Sequence, residues 1–311
     1  MQNVITVVAP VFALIALGYV AGHLNWISQA GAKGLAEFTF KLAIPAMLFR
    51  KMATAELPDV TPYALWGAYF MSAGAIWLIS TGVALLVLRR TPPESAAIAM
   101  SSAFGNVVMI GMPLSLNLFG DAASAPVAIL VSLHSPMLWA WASIHLALTR
   151  SDSTVSITAI GRELFTELSR NVIILSVIAG SLWRMAGLGF DPLADDIVSL
   201  IGRAGIPCAL ISLGLSLVGF RIAGQVPTLS LIIVLKIICM PALAWLIAYH
   251  LLHLPPVAAG VVTIFAAMPT GANAYLFAAH NQIAPHSSSG AVALGTLVSA
   301  VTASVVIYLL K

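Results

Sequence analysis

Long apolar runs follow one another along the whole chain, and short segments between them hold most of the charged residues. A helix needs about 20 apolar residues to cross about 30 Å of hydrocarbon. Ten runs are close to or above that length, so the pattern predicts an all-α polytopic membrane protein with ten transmembrane helices. Their predicted bounds are 4–22, 35–53, 63–88, 95–118, 123–148, 171–187, 196–217, 229–251, 256–280 and 288–310.

The first run begins at Val4, after no basic segment and before no small-residue cleavage pattern. We therefore expect a membrane helix there and not a removable signal peptide. The connection 149–170 is the longest, and apolar residues recur at helical spacing between Ile157 and Leu168. This linker is predicted to be cytoplasmic and to contain a short helix at the membrane surface.

Composition supports the membrane assignment, because 60% of the 311 residues are hydrophobic and 8% are charged. An ordinary soluble domain has about 25% charged residues, so a soluble enzyme, a nucleic-acid-binding module and a disordered protein are excluded. The net charge of +3 then reflects basic loops. With the N-terminus outside, seven loop cations lie on the cytoplasmic side and four outside, which favours both termini outside.

Catalytic and cofactor motifs are absent from the sequence: it has no GxSxG, no phosphate-binding glycine loop and no HExxH. We therefore predict that the chain is not an enzyme, holds no cofactor and does not use ATP by itself. Cys208 and Cys239 lie inside apolar runs and imply neither a disulfide nor a metal site. A proton or sodium ion coupled to transport stays open.

Three sequence pairs recur at nearly constant separation, which indicates an internal repeat. They are 41–45 (Lys-Leu-Ala-Ile-Pro) with 203–207 (Arg-Ala-Gly-Ile-Pro) and Gly18 with Gly180, both 162 positions apart, and 112–113 with 268–269 (each Met-Pro), 156 apart. They predict two five-helix repeats, 1–148 and 171–311, joined by the linker 149–170. Because five is odd, the second repeat enters the membrane from the opposite side and is inverted.

The fourth and ninth runs each combine glycine, asparagine and proline in mid-membrane. Proline removes a backbone donor and glycine lowers the cost of unwinding, so we expect both helices to break near Pro113 and Pro269. A half-helix beginning there would present free N–H groups and a positive dipole to an anion, and the amides of Asn106 and Asn273 would add polar contacts. The alternative is that each proline only kinks a packed helix and forms no binding site. The candidate substrate-binding residues are Asn106, Gly111, Pro113, Pro269, Thr270, Gly271 and Asn273.

Four of the ionisable residues inside the runs bear on the candidate site. Lys41 and Arg203 occupy matching repeat positions and could line the path of an anion, although each could equally extend to the membrane surface. His134 could bind substrate or relay a proton, but a lone membrane histidine is more often a packing residue. Lys236 has no counterpart in the other repeat, which favours a structural pairing.

Taken together, these motifs resemble those of the auxin efflux carrier family, the bacterial relatives of the plant auxin exporters. The resemblance rests on 9–12 (Ala-Pro-Val-Phe), 17–19 (Leu-Gly-Tyr), 41–49 (Lys-Leu-Ala-Ile-Pro-Ala-Met-Leu-Phe), 105–106 (Gly-Asn), 111–114 (Gly-Met-Pro-Leu), 267–269 (Ala-Met-Pro) and 273–274 (Asn-Ala). It implies broken fourth and ninth helices that cross, a scaffold of helices 1, 2, 6 and 7, and a transport domain of helices 3–5 and 8–10. It also implies a homodimer in the bacterial inner membrane. The family often opens its sixth helix with Asn-Pro, whereas this chain has Asn171-Val172.

These observations predict a secondary active or facilitative transporter of a small organic anion, such as a dicarboxylate or an auxin-like acid, by elevator-type alternating access. The expected partners are the anion, the lipid bilayer and a second copy of the chain, without nucleic acid. An anion channel, a membrane-embedded anion sensor and a sodium-coupled symporter of the bile-acid type are the alternatives. Large single-channel currents would indicate a channel, and a sodium requirement would indicate the symporter.

Overall fold

The computed structural model describes residues 4–54, 61–150 and 157–310, without the side chains of 157–160, 163, 164 and 167. Within these residues the chain is helical, and its β-type pairing is limited to one isolated bridge. The α-helices are α1 Val4–His23, α2 Gln29–Phe38, α3 Ile44–Thr54, α4 Pro62–Leu86, α5 Pro92–Ala103, α6 Met112–Phe119, α7 Ser124–Thr149, α8 Ile157–Arg170, α9 Val172–Met185, α10 Pro192–Arg203, α11 Gly205–Leu217, α12 Val226–Val234, α13 Met240–Trp245, α14 Pro256–Ala267, α15 Ala272–His280 and α16 Pro285–Leu309. π-helical segments at Thr39–Ala43, Val107–Gly111, Leu235–Cys239 and Leu246–Leu251 and a 3₁₀ turn at Gly120–Ala123 join some of them.

Six helical stretches of the described residues are long and apolar enough to cross a membrane. They are Val4–His23, Pro62–Leu86, Val107–Thr149, Pro192–Leu217, Val226–Leu251 and Pro285–Leu309. The other predicted spans are shorter or more polar. The ninth predicted span is divided into α14 and α15, and in the fourth the helix α5 already ends at Ala103. The second span carries charged residues between Glu37 and Lys51. The count of ten spans therefore stays a prediction.

Several helices begin at side chains that accept hydrogen bonds from their first N–H groups. Thr91 and Glu94 form a reciprocal capping box at α5, and Asp191 caps α10. Asn171 accepts from the N–H groups of Ile173 and Ile174, so α9 starts where the family pattern would place Asn-Pro. The helix predicted in the linker is confirmed as α8, whereas linker residues 151–156 lie outside the described residues.

Two helix pairs pack with their backbones almost in contact. A Cβ atom built on Gly18 of α1 would fall on the carbonyl oxygen of Ile211 in α11, and one built on Gly214 of α11 would fall on the carbonyl oxygen of Ile15. Likewise, a Cβ atom on Gly180 of α9 would fall on the carbonyl oxygen of Phe49 in α3. Only glycine permits such an approach, so these positions determine how α1 packs on α11 and α3 on α9.

Burial divides the helices into two kinds. Every residue of α5 from Ser95 to Ala103, and every residue of α14 from Ala258 to Ala267, is buried. By contrast, α1, α9 and α10 keep large apolar side chains exposed, including Leu17, Leu182 and Leu200. Lipid tails can cover such exposed faces, and the protein covers α5 and α14 on all sides.

The glycine contact between α1 and α11 gives a first testable prediction. Gly214→Ala should lower the free energy of unfolding by about 1–3 kcal/mol, because the new methyl group collides with the backbone of α1. The measurement is thermal unfolding of the purified protein in detergent. Gly82→Ala in α4 is the control, since a Cβ atom there meets no atom within 4 Å. Equal unfolding temperatures for the two variants would contradict this account of the packing.

Candidate functional site

The first helix break lies at 104–106, directly after α5. Phe104 is extended, with φ −77° and ψ 106°, and Asn106 has φ −78° and ψ 60°. The helix resumes at Val107 and continues through the π-helical segment into α6. Pro113 is the second residue of α6, so the half-helix does not begin at Pro113 as expected, and the break lies seven residues earlier in the same motif. The wider π turn before Pro113 accommodates the missing backbone donor without unwinding.

The second break covers 268–271, between α14 and α15. Met268 is extended with φ −67° and ψ 142°, and Gly271 is extended with φ −79° and ψ 152°. Pro269 lies inside this extended segment, as the sequence predicts, and the next helix begins at Ala272. That half-helix therefore starts three residues after Pro269, and not at the proline itself.

The two breaks cross each other and share backbone hydrogen bonds. Gly105 and Thr270 form an antiparallel bridge. On either side of it, the N–H of Asn106 donates to the carbonyl of Pro269 over 2.8 Å, and the N–H of Gly271 donates to the carbonyl of Phe104 over 3.0 Å. Unwound backbone inside a membrane is tolerated only where protein satisfies its polar groups, and here each break satisfies the other.

Two helix N-termini meet at the crossing. The helical segment that starts at Val107 begins two residues after Gly105, and α15 begins two residues after Thr270. The first N–H groups of a helix have no partner within that helix, and they form the positive end of its dipole. The crossing thus brings two positive dipole ends together in a buried region.

Buried polar side chains surround the crossing without complete hydrogen bonding. Asn106 is 7% exposed, and its Nδ2 has no partner among the described residues. His134 donates from Nε2 to the carbonyl of Gly105 over 3.0 Å, and its buried Nδ1 has no partner in the part of the chain that the structure describes. The centroid of the Tyr69 ring lies 5.5 Å from that of His134, and the described residues offer the Tyr69 hydroxyl no hydrogen-bond partner either. An unsatisfied buried polar group costs about 1–3 kcal/mol, so these groups are suited to a polar ligand.

A family model described as membrane transport protein matches residues 3–307. The chain belongs to this membrane transport protein family. The match confirms the resemblance to auxin efflux carriers drawn from the motifs. Members of the family are transporters and not enzymes, and the apolar helices agree with an integral membrane protein.

Two relatives that match over nearly their whole length are also named as transporters. A Rhizobium meliloti protein named "Putative malonate transporter" is 23% identical over 315 residues, covering 100% of this chain and 97% of the relative. A Methanothermobacter thermautotrophicus protein named "Uncharacterized transporter" is 24% identical over 299 residues, with 95% and 94% coverage. A mouse protein named "Lysosomal cholesterol signaling protein" is 32% identical over 84 residues, which is 27% of this chain and 9% of that protein.

Most of the candidate residues predicted for this transporter lie at or beside the crossing. Asn106, Pro269, Thr270 and Gly271 form it, and a Cβ atom on Gly111 would meet Met268 at 3.0 Å. The remaining residues of this group lie next to the crossing elements. They are Pro113 in α6, His134 on the Gly105 carbonyl, and Asn273, whose Nδ2 donates to Ser135 Oγ over 3.3 Å.

The matched basic residues lie elsewhere. Lys41 is exposed and pairs with Glu37 at 3.8 Å. Arg203 is exposed and lines a cavity of about 380 Å³ together with Arg50, Lys51 and Asp121. The described contacts link neither Lys41 nor Arg203 to the crossing, so any attraction of substrate by them would act over a distance.

Three side chains make contacts near the crossing that the sequence did not predict. Thr270 was already a candidate site residue and Lys236 was expected in a structural pairing, whereas Tyr69 was not singled out. Thr270 donates through Oγ1 to the carbonyl of Ser101 over 2.8 Å, at the carboxyl end of α5. Tyr69 packs on His134, and Lys236 donates from Nζ to the carbonyl of Ala266 over 2.7 Å, at the carboxyl end of α14. A lysine in an otherwise uncharged run was the available signal, but its partner became visible only in the fold.

The hydrogen bond from Thr270 gives a second prediction. Thr270→Val keeps the shape of the side chain but leaves the buried Ser101 carbonyl without that donor, so the free energy of unfolding should fall by about 1–3 kcal/mol. Thr270→Ser keeps the hydroxyl and should retain most of the stability. Thermal unfolding in detergent compares the two variants. If the valine variant were as stable as the serine variant, the hydrogen bond would not support the crossing.

Proposed function

We propose that this membrane transport protein is a secondary carrier of small organic carboxylates that works by elevator-type alternating access. The observation that carries the proposal is the crossing at Gly105 and Thr270. Two helices have their N-termini beside it, and Nδ2 of the buried Asn106 has no hydrogen-bond partner among the described residues. Positive dipole ends and amide donors in a water-excluded site favour a carboxylate over a cation or a neutral molecule.

The size of the substrate is suggested by the similarity to a relative. The Rhizobium meliloti protein is named for malonate, a small dicarboxylate, and the match covers the whole of this chain. At 23% identity the name is a guide to chemical class. We therefore propose small mono- and dicarboxylates as the substrates to test, with malonate first.

We further propose the ten-helix architecture of two inverted repeats, 1–148 and 171–311, joined by the linker 149–170. Two glycine contacts support it. Gly180 follows Gly18 by 162 positions, and their contact partners Ile211 and Phe49 are separated by the same 162. The contact of α1 with α11 thus has the same register as the contact of α9 with α3, which is expected of two related halves.

The proposed moving parts follow from the packing. In the scaffold, α1 packs on α11, and α3 packs on α9 and α10. The transport domain comprises α4–α7 and α12–α16 and carries the crossing. Between the two lies a cluster of apolar side chains that includes Val11, Ile110, Leu114, Leu210 and Met268. Apolar contacts lack directional bonds, so this surface is suited to sliding. We also propose a homodimer in the bacterial inner membrane with both termini outside.

The proposed binding role of the two asparagines gives the third prediction. Asn106→Ala and Asn273→Ala should each lower counterflow of labelled malonate in proteoliposomes at least about tenfold, because a lost hydrogen bond to a charged group is worth about 1.5–3 kcal/mol. Asn281→Ala is the matched control, because Asn281 lies at the other end of α15 and bonds to the Phe277 carbonyl. All variants must remain monodisperse in detergent.

Two outcomes would contradict the proposal. Normal saturable counterflow by both asparagine variants would remove the crossing as the binding site. Large single-channel currents from the wild-type protein, without saturation or counterflow, would indicate a channel and not a carrier.

The exposed positions of Lys41 and Arg203 give a fourth prediction. We propose that they attract the anion at a distance. Arg203→Gln should then raise the KM about twofold to fivefold at 10 mM salt, with little effect at 1 M, because the Debye length shortens from about 30 Å to about 3 Å. Lys41→Gln should have a smaller effect, since Glu37 already neutralises Lys41. A KM unchanged at low salt in both variants would end this role.

A further inference from the structure

Lys236 is the most unusual charged residue of the described structure. It lies in the π-helical segment between α12 and α13 and has 0% exposure, and no Asp, Glu, Lys or Arg other than Lys236 is fully buried among the described residues. Its large side chain is enclosed by protein and cannot extend to the membrane surface. A buried ammonium costs several kcal/mol unless a partner compensates it.

The partners of Lys236 compensate this charge only in part. Nζ donates to the carbonyl of Ala266 over 2.7 Å and to Sδ of Met240 over 3.1 Å. The ion pairs of the described residues join Lys41 with Glu37, Arg50 with Asp195, and Lys51 with Asp121, and none includes Lys236. No carboxylate therefore neutralises this ammonium within the part of the chain that the structure describes.

The ammonium of Lys236 lies next to Gly105, one of the residues of the crossing. A Cβ atom built on Gly105 would be 3.2 Å from Nζ of Lys236 and 3.3 Å from its Cε. Gly105 also provides the carbonyl that accepts from His134 and takes part in the bridge with Thr270. The lysine therefore contacts the residue at which the first helix is open.

The contact with Ala266 changes the electrostatic balance of the crossing. Two helix carboxyl ends, those of α5 and α14, approach the crossing together with the two N-termini. Their negative dipole ends would oppose the positive ends of the N-termini. Lys236 bonds to the last turn of α14 and offsets its negative end, so the positive ends are left to act on a ligand.

We propose that Lys236 is the fixed countercharge of the substrate carboxylate, a specificity-determining residue that makes the crossing selective for anions by its electric field. This inference rests on the proposed function and identifies the residue that makes the proposed site prefer anions. Lys236 acts through the backbone at Gly105 and Ala266. Since none of the described carboxylates pairs with Lys236, the bound anion supplies the balancing negative charge. Affinity therefore rises with the number of negative charges on the substrate.

Lys236→Gln tests this charge, because glutamine keeps a donor for the Ala266 carbonyl and loses the charge. Ligand-induced thermal stabilisation is measured for malonate and for its monoamide, which has the same size and one carboxylate fewer. We expect Lys236→Gln to weaken malonate binding at least about tenfold, which corresponds to about 1.4 kcal/mol. The monoamide should lose less, so the preference for the dianion should shrink.

Three further variants serve as controls. Lys236→Arg keeps the charge and should keep the preference for the dianion. Lys33→Gln removes an exposed charge from α2 and should leave both affinities unchanged. Lys236→Met removes the charge and the donor at similar volume, and it replaces Lys236→Gln if the glutamine variant does not fold.

The outcomes separate the two proposals. If malonate and related carboxylates neither stabilise the wild-type protein nor exchange in proteoliposomes, the proposed carboxylate transport is wrong. The proposed countercharge role of Lys236 is then wrong as well. If wild-type binds malonate and Lys236→Gln binds both ligands as wild-type does, the countercharge alone is overturned. Equal losses for malonate and the monoamide, or collapse of both neutral variants while Lys236→Arg folds, would assign the lysine to structure and also overturn it.

Discussion

The structure depends on one constraint: peptide groups that leave a helix inside hydrocarbon need new partners. Neither break meets that need alone. The carbonyl of Pro269 accepts from Asn106, and the carbonyl of Phe104 accepts from Gly271, so each unwound segment supplies the partners of the other. The same constraint explains why α5 and α14 are buried on all sides, since lipid could not satisfy the ends that open at the crossing.

Proline by itself does not decide where these helices open. Three π-helical segments, Thr39–Ala43, Val107–Gly111 and Leu235–Cys239, are each followed two residues later by Pro45, Pro113 or Pro241. There the widened turn accommodates the ring, and the helix continues. Pro269 differs because its segment pairs with the extended residues around Gly105. Extended backbone in the membrane therefore requires a second extended segment beside it.

The crossing combines opposite electrostatic tendencies in a small buried volume. Helix N-termini and the ammonium of Lys236 make it positive, and the carboxyl ends of α5 and α14 make it negative. Low dielectric strengthens all of these effects, so the placement of one charge changes what the site can bind. Around this polar centre the contacts with α1 and α11 are apolar, through residues such as Val11 and Leu210. The proposed charge selectivity and the proposed sliding movement therefore involve different surfaces of the same helices.

The sequence by itself determined the apolar runs, the short helix α8, the break around Pro269 and the family, because these depend on local composition, backbone chemistry and motif order. It also included Gly105 and Asn106 in the motif of the first helix break, although it expected the half-helix to begin at Pro113. Only the tertiary structure decided that the first helix opens at 104–106, that His134 donates to the Gly105 carbonyl and that Lys236 lies beside Gly105 with no carboxylate partner among the described residues. Those features depend on which segments meet in space, from 29 residues apart for Gly105 and His134 to more than a hundred for Gly105 and Thr270, and local propensity carries no record of such partners.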